Sequence, residues 1–134
     1  MTKLEVIEGI GPTFAEKLRA AGIRSIESLL QAGATVKGRQ ELQEKTGIGS
    51  EYILNWVNRA DLMRIKGLGE EYSDLLERSG VDTVPELAQR NAENLHEKLL
   101  EVNEAKRLVR RPPALSMVAD WIEQAKTMER AVSY

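Results

Sequence analysis

The chain has 134 residues, of which 42% are hydrophobic and 30% charged, and this is enough apolar material for one compact domain or two very small ones. The absence of cysteine excludes disulfides and thiolate metal sites, and the 19 basic and 21 acidic residues lack the basic excess of a dedicated nucleic-acid coat protein. No apolar run approaches the roughly 18 residues of a membrane span, so we expect a cytoplasmic protein with no membrane partner.

The first predicted helix begins at Pro12, which suits the first position of a helix, and it stops at Gly22, which suits the position just after one. Ser25 can cap a short second helix that stops at Gly33. Between these signals the apolar residues recur at helical spacing. This part of the sequence therefore predicts two short helices separated by glycine turns.

Two more helices are predicted in the first half of the chain. One lies around residues 37–46 and stops at Gly47, and the next covers residues 50–61, where apolar residues form a stripe on one face. The same stripe recurs over residues 116–129. Because no segment alternates polar and apolar residues with a period of two, we expect an all-α fold of roughly eight to ten short helices.

An internal repeat organises these helices. Residues 7–11 (IEGIG) recur 58 residues later as residues 65–69 (IKGLG), and farther along the chain the spacing becomes 65, which aligns Trp56 with Trp121. The seven extra residues of the second copy lie between about 101 and 117. The sequence therefore contains two diverged copies of one unit.

We expect the first copy to cover residues 1–62 and the second to cover residues 63–134. No linker rich in Gly, Ser or Pro separates Asp61 from Ile65, and each half alone is small with little aromatic mass. The two copies are therefore expected to share a single core and to pack as one compact unit.

The most informative element is Gly-h-Gly, in which h is an apolar residue, placed between helices. It occurs at residues 9–11, 47–49 and 67–69. The glycines permit a tight reversal while the apolar residue points into the core. The helix that follows presents backbone N–H groups at the positive end of its dipole, and such a terminus suits an anion such as a nucleic-acid phosphate.

This pattern resembles the helix-hairpin-helix motif. Residues 7–23 (IEGIGPTFAEKLRAAGI) and 65–81 (IKGLGEEYSDLLERSGV) fit it, and Gly47 to Trp56 is a weaker third instance. Nearly the whole chain is also similar to an uncharacterised bacterial family of tandem helix-hairpin-helix proteins, the domain-of-unknown-function family numbered 4332, on the segment Asp61 to Gly67 and the two Trp helices. The resemblance implies sequence-independent binding of the DNA backbone by hairpin amides, sometimes aided by a monovalent cation on hairpin carbonyls.

A basic stretch at residues 106–111 (KRLVRR) carries four positive charges in six residues and precedes two prolines. Its side chains share a helical face in part and could contact phosphates, or they could complement the dipole at a solvated helix end. Together with the hairpins, this stretch completes the set of expected phosphate-binding residues. They are Gly9, Ile10, Gly11, Thr13, Lys17, Arg19, Lys66, Gly67, Leu68, Gly69, Lys106, Arg107, Arg110 and Arg111.

The two clear hairpins differ in the charges that follow them. Lys17 and Arg19 follow the first hairpin, whereas four carboxylates occupy the first two turns after the second. These carboxylates suit the helix dipole but repel a phosphate, so the first hairpin is the better DNA candidate. The carboxylates are Glu70, Glu71, Asp74 and Glu77.

Other residue types point to structure rather than chemistry. Trp56 and Trp121 lie at equivalent positions of two apolar stripes, so we expect both in the core and not stacked on bases. His96, near the start of a polar helix, is expected to be solvated. Carboxylate runs at helix starts do not by themselves make a metal site, so we expect neither metal ligands nor catalytic residues.

Three functions remain open. The first is a non-catalytic module that binds DNA without reading its sequence, and it is supported by the hairpin pattern. The second is a protein-interaction module on the same fold, which the acidic second hairpin and the sequence pI of about 5.6 favour. The third is a nuclease, suggested only because helix-hairpin-helix elements often accompany nucleases. Neither the oligomeric state nor the identity of a protein partner follows from these residues.

Overall fold

The computed structural model describes residues 2–134. Over that range the chain forms eight α-helices and one 3₁₀ turn and contains no strand, so the predicted all-α fold is confirmed. The elements are the 3₁₀ turn Leu4–Val6 and the helices α1 (Pro12–Ala20), α2 (Ile26–Ala32), α3 (Val36–Thr46), α4 (Ser50–Leu62), α5 (Gly69–Arg78), α6 (Val84–Ala88), α7 (Ala92–Lys106) and α8 (Leu115–Thr127).

The chain divides into two compact units. The first runs to Asp61 and also includes Arg130–Tyr134, and the second is Leu62–Glu129. The last five residues thus belong to the first unit, although the sequence repeat places them at the end of the second copy. The single core shared by both copies stays a prediction.

Local signals begin and end the helices of the first unit. Pro12 occupies the first position of α1, and the Oγ of Ser25 accepts a hydrogen bond from the Ser28 N–H at 3.1 Å to cap α2. Thr35 caps α3 in the same way, and Gly47 ends it. The deeply buried side chains of this unit are Leu4, Ile7, Ala15, Leu18, Leu29, Ile53, Trp56 and Val57.

A buried arginine holds the last residues of the chain against the first unit. Arg39 is only 8% exposed, and it donates from Nη1 to the Gly33 carbonyl at 2.7 Å and from Nη2 to the Ser133 carbonyl at 2.6 Å. The Ser133 N–H in turn donates to the Ala34 carbonyl at 2.8 Å. Arg39 therefore supplies the charged donors that satisfy two backbone carbonyls in a buried place.

The second unit has its own apolar core and its own caps. The Oγ1 of Thr83 accepts from the Glu86 N–H at 3.1 Å at the start of α6, and Asn91 caps α7. Trp121 packs in the middle of an apolar cluster to which α5, α6, α7 and α8 all contribute. The buried members of this cluster are Leu62, Ile65, Leu68, Leu75, Leu76, Val81, Val84, Leu87, Leu95, Leu99, Val102, Val109, Val118, Trp121, Ile122 and Ala125.

Candidate nucleic-acid interface

Residues 9–11, here called hairpin one, form a tight turn before α1. Gly9 has a φ of +98°, a conformation that side chains other than glycine's rarely adopt. Ile10 is buried, whereas Gly9 and Gly11 are exposed. The Gly11 carbonyl accepts the first helical hydrogen bond, from the Ala15 N–H at 2.9 Å. Hairpin one therefore presents glycine backbone to solvent and anchors itself through the apolar residue between the glycines.

A tryptophan supports hairpin one from the core. A Cβ added to Gly9 would lie 3.5 Å from Nε1 of Trp56, which is ordinary van der Waals contact. Trp56 is 2% exposed and Trp121 is 1% exposed, so the prediction that both are core residues is confirmed. Both indole rings are buried in the apolar interior and are therefore not accessible for stacking on a base.

The start of α1 is open and free of carboxylates. Apart from Gly11 itself and the two residues next to it in the chain, no heavy atom of residues 2–134 lies within 4 Å of the position that a Cβ on Gly11 would occupy. The first turn contains no acidic residue, and within the described chain no side chain caps it. Because the first N–H groups of any α-helix lack an intrahelical acceptor, the amides of Thr13 and Phe14 remain available for an outside partner.

The two basic residues predicted beside hairpin one differ in their environment. Lys17 is exposed on α1. Arg19 is half-buried, and its Nη2 donates to both carboxylate oxygens of Glu5 at 2.8 and 2.9 Å. This hydrogen bond from Arg19 is the main cause that holds the pKa of Glu5 below its ordinary value. Arg19 is therefore paired with Glu5, whereas Lys17 has no internal partner among the described residues.

Residues 47–49 form a third turn of the same kind, which connects α3 to α4. Ile48 is buried, and the Gly49 carbonyl accepts from the Tyr52 N–H at 3.1 Å at the start of α4. The ring centroids of Phe14 and Tyr52 are 5.7 Å apart, so the first turns of α1 and α4 contact each other. Tyr52 is 55% exposed, and its place beside Phe14 was not foreseen because nothing in the local sequence links the two helices.

Residues 67–69, here called hairpin two, repeat the arrangement of hairpin one in part. Leu68 is buried between two exposed glycines, and a Cβ added to Gly67 would lie 3.8 Å from Nε1 of Trp121. Gly69, however, is already the first residue of α5 and has a φ of +67°. The backbone at the start of α5 therefore has a different conformation from that at the start of α1.

The backbone N–H and carbonyl of the residue before hairpin two already form hydrogen bonds within the protein. The Lys66 N–H donates to Oε1 of Gln124 at 2.9 Å, and Nε2 of Gln124 donates to the Lys66 carbonyl at 3.0 Å. Glu70 and Glu71 lie in the first turn of α5. Both features disfavour a phosphate at hairpin two, since one backbone amide is engaged and two carboxylates stand where the anion would bind.

The basic stretch does not continue the helix. Lys106 is the last residue of α7, and Arg107 follows it in the left-handed conformation with a φ of +51°. Arg110 and Arg111 lie on an irregular segment, residues 107–114, here called the basic loop. The predicted shared helical face is therefore wrong, because the chain turns away from the helix axis at Arg107.

Three side chains hold the basic loop in place. The buried Asn103 amide pairs with Val109 in both directions: the Val109 N–H donates to Oδ1 at 2.9 Å, and Nδ2 donates to the Val109 carbonyl at 3.1 Å. The Tyr72 hydroxyl donates to the carbonyl of Arg111 at 3.0 Å. His96 is half-buried, and its Nε2 donates to the carbonyl of Pro113 at 2.9 Å, so this side chain is solvated only in part.

A groove of about 880 Å³, here called the basic-loop groove, runs between the basic loop, the end of α7 and the start of α5. No ion pair joins the side chains of Arg107, Arg110 and Arg111 to any residue within the described range. The groove thus brings the loop arginines next to the helix that follows hairpin two. Its lining residues are Glu71, Tyr72, Asn103, Glu104, Arg107, Leu108, Val109, Arg110, Arg111 and Pro112.

Residues 2–134 contain neither a metal-binding group of side chains nor a membrane-spanning helix. In this range no three His, Asp or Glu side chains come together in a group that could hold a metal ion. None of the helices formed by these residues combines the length and the apolar character needed to cross a membrane.

Comparison with known proteins identifies a family and nothing more specific. The sequence model of the family described as Domain of unknown function (DUF4332) matches residues 8–128. No curated protein and no solved structure matches the chain. The matched range contains all three glycine turns and the basic loop.

Proposed function

The chain belongs to the DUF4332 family, and we propose that it binds the sugar–phosphate backbone of DNA without reading the base sequence and without catalysing a reaction. In this proposal the main contact is hairpin one, whose backbone amides bind a phosphate. Contacts to phosphate fix a protein on the duplex but carry no base information, so affinity should be similar for any duplex sequence.

The observation that supports the proposal is the open start of α1. Gly11 is exposed, no carboxylate occupies the first turn, and the space around its missing side chain is empty within 4 Å among the described residues. The helix dipole and the amides of Thr13 and Phe14 together favour an anion at this place. A glycine at position 11 also lets a bulky phosphodiester approach the backbone closely.

Side chains around hairpin one supplement the amides. Thr13 and Lys17 are exposed on α1, and they offer a hydroxyl and an ammonium group to neighbouring phosphate oxygens. Arg19 acts indirectly, since its ion pair with Glu5 offsets one carboxylate of the 3₁₀ turn that precedes hairpin one. Lys17 thus adds a positive charge on the helix after hairpin one, although the whole chain has a net charge of −2.

The proposal is tested by blocking the open helix start. Gly11 has a φ of −83° and a ψ of −177°, which a β-branched residue adopts without strain, so Gly11→Val adds bulk where the phosphate binds while leaving the fold intact. Binding to three duplexes of unrelated sequence should weaken about tenfold or more, and equally for all three.

The matched control is Ala20→Val, which adds the same side chain at the exposed opposite end of α1. It should leave DNA affinity within about twofold of the wild type. Circular dichroism of both variants separates a loss of binding from a loss of structure. Equal effects of the two substitutions, or a Gly11→Val effect confined to one duplex sequence, would contradict the proposal.

A monovalent cation on the hairpin carbonyls is a further part of the proposal. Its test exchanges potassium for sodium and for tetramethylammonium at constant ionic strength. If the cation assists phosphate binding, DNA affinity should fall in tetramethylammonium, because a large organic cation cannot be held by backbone carbonyls. Unchanged affinity would remove the cation from the account and leave amide binding in place.

A second function, a protein-interaction module, is favoured by one observation. Glu70 and Glu71 fill the first turn of α5, so the start of that helix repels a phosphate but suits a basic segment of another protein. This function replaces the first if the wild-type protein binds no DNA at low ionic strength. The turns then serve as compact connectors between helices.

A further inference from the structure

We propose that the basic-loop groove is a phosphate-binding site formed by side chains, and that the second copy contacts DNA through this groove rather than through hairpin two. The inference rests on the proposed function for its ligand, the phosphodiester backbone. It differs in its chemistry, because guanidinium groups replace backbone amides as the donors.

Hairpin two is poorly suited to the contact that hairpin one makes. Its neighbouring amide, on Lys66, already donates to Gln124, and the start of α5 has a left-handed glycine instead of an open cap. Glu70 and Glu71 add negative charge at the same place. A phosphate bound by the second copy therefore requires donors other than the backbone amides of hairpin two.

The basic loop supplies such donors on a backbone that hydrogen bonds hold in place. Three side chains form hydrogen bonds to the loop backbone at three successive points. Asn103 binds Val109, Tyr72 binds Arg111, and His96 binds Pro113. Asn103 is 7% exposed, and both ends of its amide are satisfied by the loop backbone. Because the backbone is ordered before a ligand arrives, less conformational entropy is lost on binding.

The arginines of the basic loop carry positive charge that no ion pair within the described chain neutralises. Arg107, Arg110 and Arg111 all line the groove, and none of them makes an ion pair with a described residue. Two carboxylates, on Glu71 and Glu104, line it as well, so three positive charges face two negative ones. Guanidinium groups bind phosphate oxygens through paired N–H donors, and this geometry is specific for phosphate over a simple halide.

The remaining walls suit the sugar of a nucleotide chain. Tyr72, Leu108 and Pro112 line the groove with apolar surface, and the Tyr72 ring is supported by Trp121 at a centroid distance of 5.2 Å. The volume of about 880 Å³ exceeds that of one phosphate and accommodates phosphate together with sugar. The groove therefore fits a stretch of backbone and not an isolated small anion alone.

The first test compares two double variants of the full chain for duplex binding. Arg110→Gln with Arg111→Gln removes two charges from the groove, and Arg78→Gln with Arg90→Gln removes two charges from helix-surface ion pairs of the same unit. The loop variant should lower affinity about tenfold and make the log–log salt slope shallower by about 1 to 2. The helix variant should change affinity by less than about threefold.

The second test does not use DNA. Inorganic pyrophosphate is titrated into the isotope-labelled full chain at constant ionic strength, with sodium chloride as the reference. The backbone amide signals of Val109, Arg110 and Arg111, which all line the groove, should shift in the wild type. They should stay in place in the loop double variant.

The outcomes separate this inference from the proposed function. Salt-sensitive DNA binding that both double variants weaken equally, without a pyrophosphate shift at the loop, would overturn the groove site and leave hairpin one as the contact. If the wild type binds no DNA, the proposed function fails. The pyrophosphate titration alone then tests whether the groove binds phosphate. Shifts at Val109, Arg110 and Arg111 that the loop double variant loses would support the site, and their absence in the wild type would overturn it.

Discussion

Nε1 of Trp121 lies 3.8 Å from the position that a Cβ on Gly67 would occupy, and Nε1 of Trp56 lies 3.5 Å from the corresponding position on Gly9. Hairpin one and hairpin two thus each lie against a buried indole from a helix far along the chain. The seven extra residues of the second copy lie between its glycine turn and its tryptophan, yet they leave this relationship unchanged. The extra length is divided between α7, which has 15 residues where α3 has 11, and the basic loop, which is longer than the turn at residues 47–49.

Removing either indole should destabilise its unit. Trp56→Ala and Trp121→Ala each delete a large side chain that is at most 2% exposed, so the free energy of unfolding should fall by roughly 3–5 kcal/mol. Urea denaturation followed by circular dichroism measures the change. A Trp121→Ala protein of wild-type stability that had lost DNA binding would contradict the core role and indicate stacking on a base.

Gly11→Ser should preserve or raise the stability of the protein while it lowers the affinity for DNA. Gly11 is the N-cap of α1, and a serine there accepts a hydrogen bond from one of the first-turn amides. Stability should stay the same or rise by a few tenths of a kcal/mol, while DNA affinity falls because the serine occupies an amide that the phosphate needs. Thermal unfolding and a duplex titration measure the two effects. Unchanged affinity in a more stable protein would argue against amide binding at α1.

Arg39→Leu should destabilise the first unit. The substitution leaves the buried carbonyl of Gly33 and the part-buried carbonyl of Ser133 without their charged donor, which costs about 1–3 kcal/mol. Hydrogen exchange should also become faster at the Ser133 amide, since the last residues of the chain lose their main attachment. Lys17→Leu, on an exposed position of α1, is the control and should change stability little. Equal stability of the two variants would contradict the role of Arg39.

The pair of Glu5 and Arg19 gives a prediction of pH dependence. The pKa of Glu5 is lowered in the folded state, chiefly by the hydrogen bond from Arg19. Its stabilising contribution is therefore present above the ordinary pKa of about 4.5 and is lost as the pH falls through the lower folded value. A carboxyl titration by NMR should show Glu5 titrating below the ordinary range, and Arg19→Gln should raise its pKa. An ordinary pKa for Glu5 in the wild type would contradict the ion pair.

Much of the fold could be predicted because its signals are local. Pro12, Ser25 and Gly47 mark helix ends within a few residues of the segments that they bound, and the structure places helices where these signals predict them. The tryptophan stripes predict burial for the same reason, since helical spacing alone defines an apolar face.

The details of the candidate site were less accessible because they depend on partners distant in sequence. Arg39 binds a carbonyl 94 residues away, and Tyr72 reaches Arg111 across 39 residues. The basic stretch was expected to share a helical face, yet Asn103 draws Val109 back and the chain leaves the helix at Arg107. Only the folded arrangement shows that its arginines line a groove beside α5.

The salt dependence of duplex binding by the wild-type protein tests the central proposal most directly. Backbone binding through about two to four phosphates predicts that the logarithm of the association constant falls linearly with the logarithm of salt concentration, with a slope between about −2 and −4. The slope and the affinity should be the same for duplexes of unrelated sequence. No binding at low ionic strength, or an affinity that salt does not change, would contradict DNA-backbone binding and leave the glycine turns as connectors in a protein-interaction module.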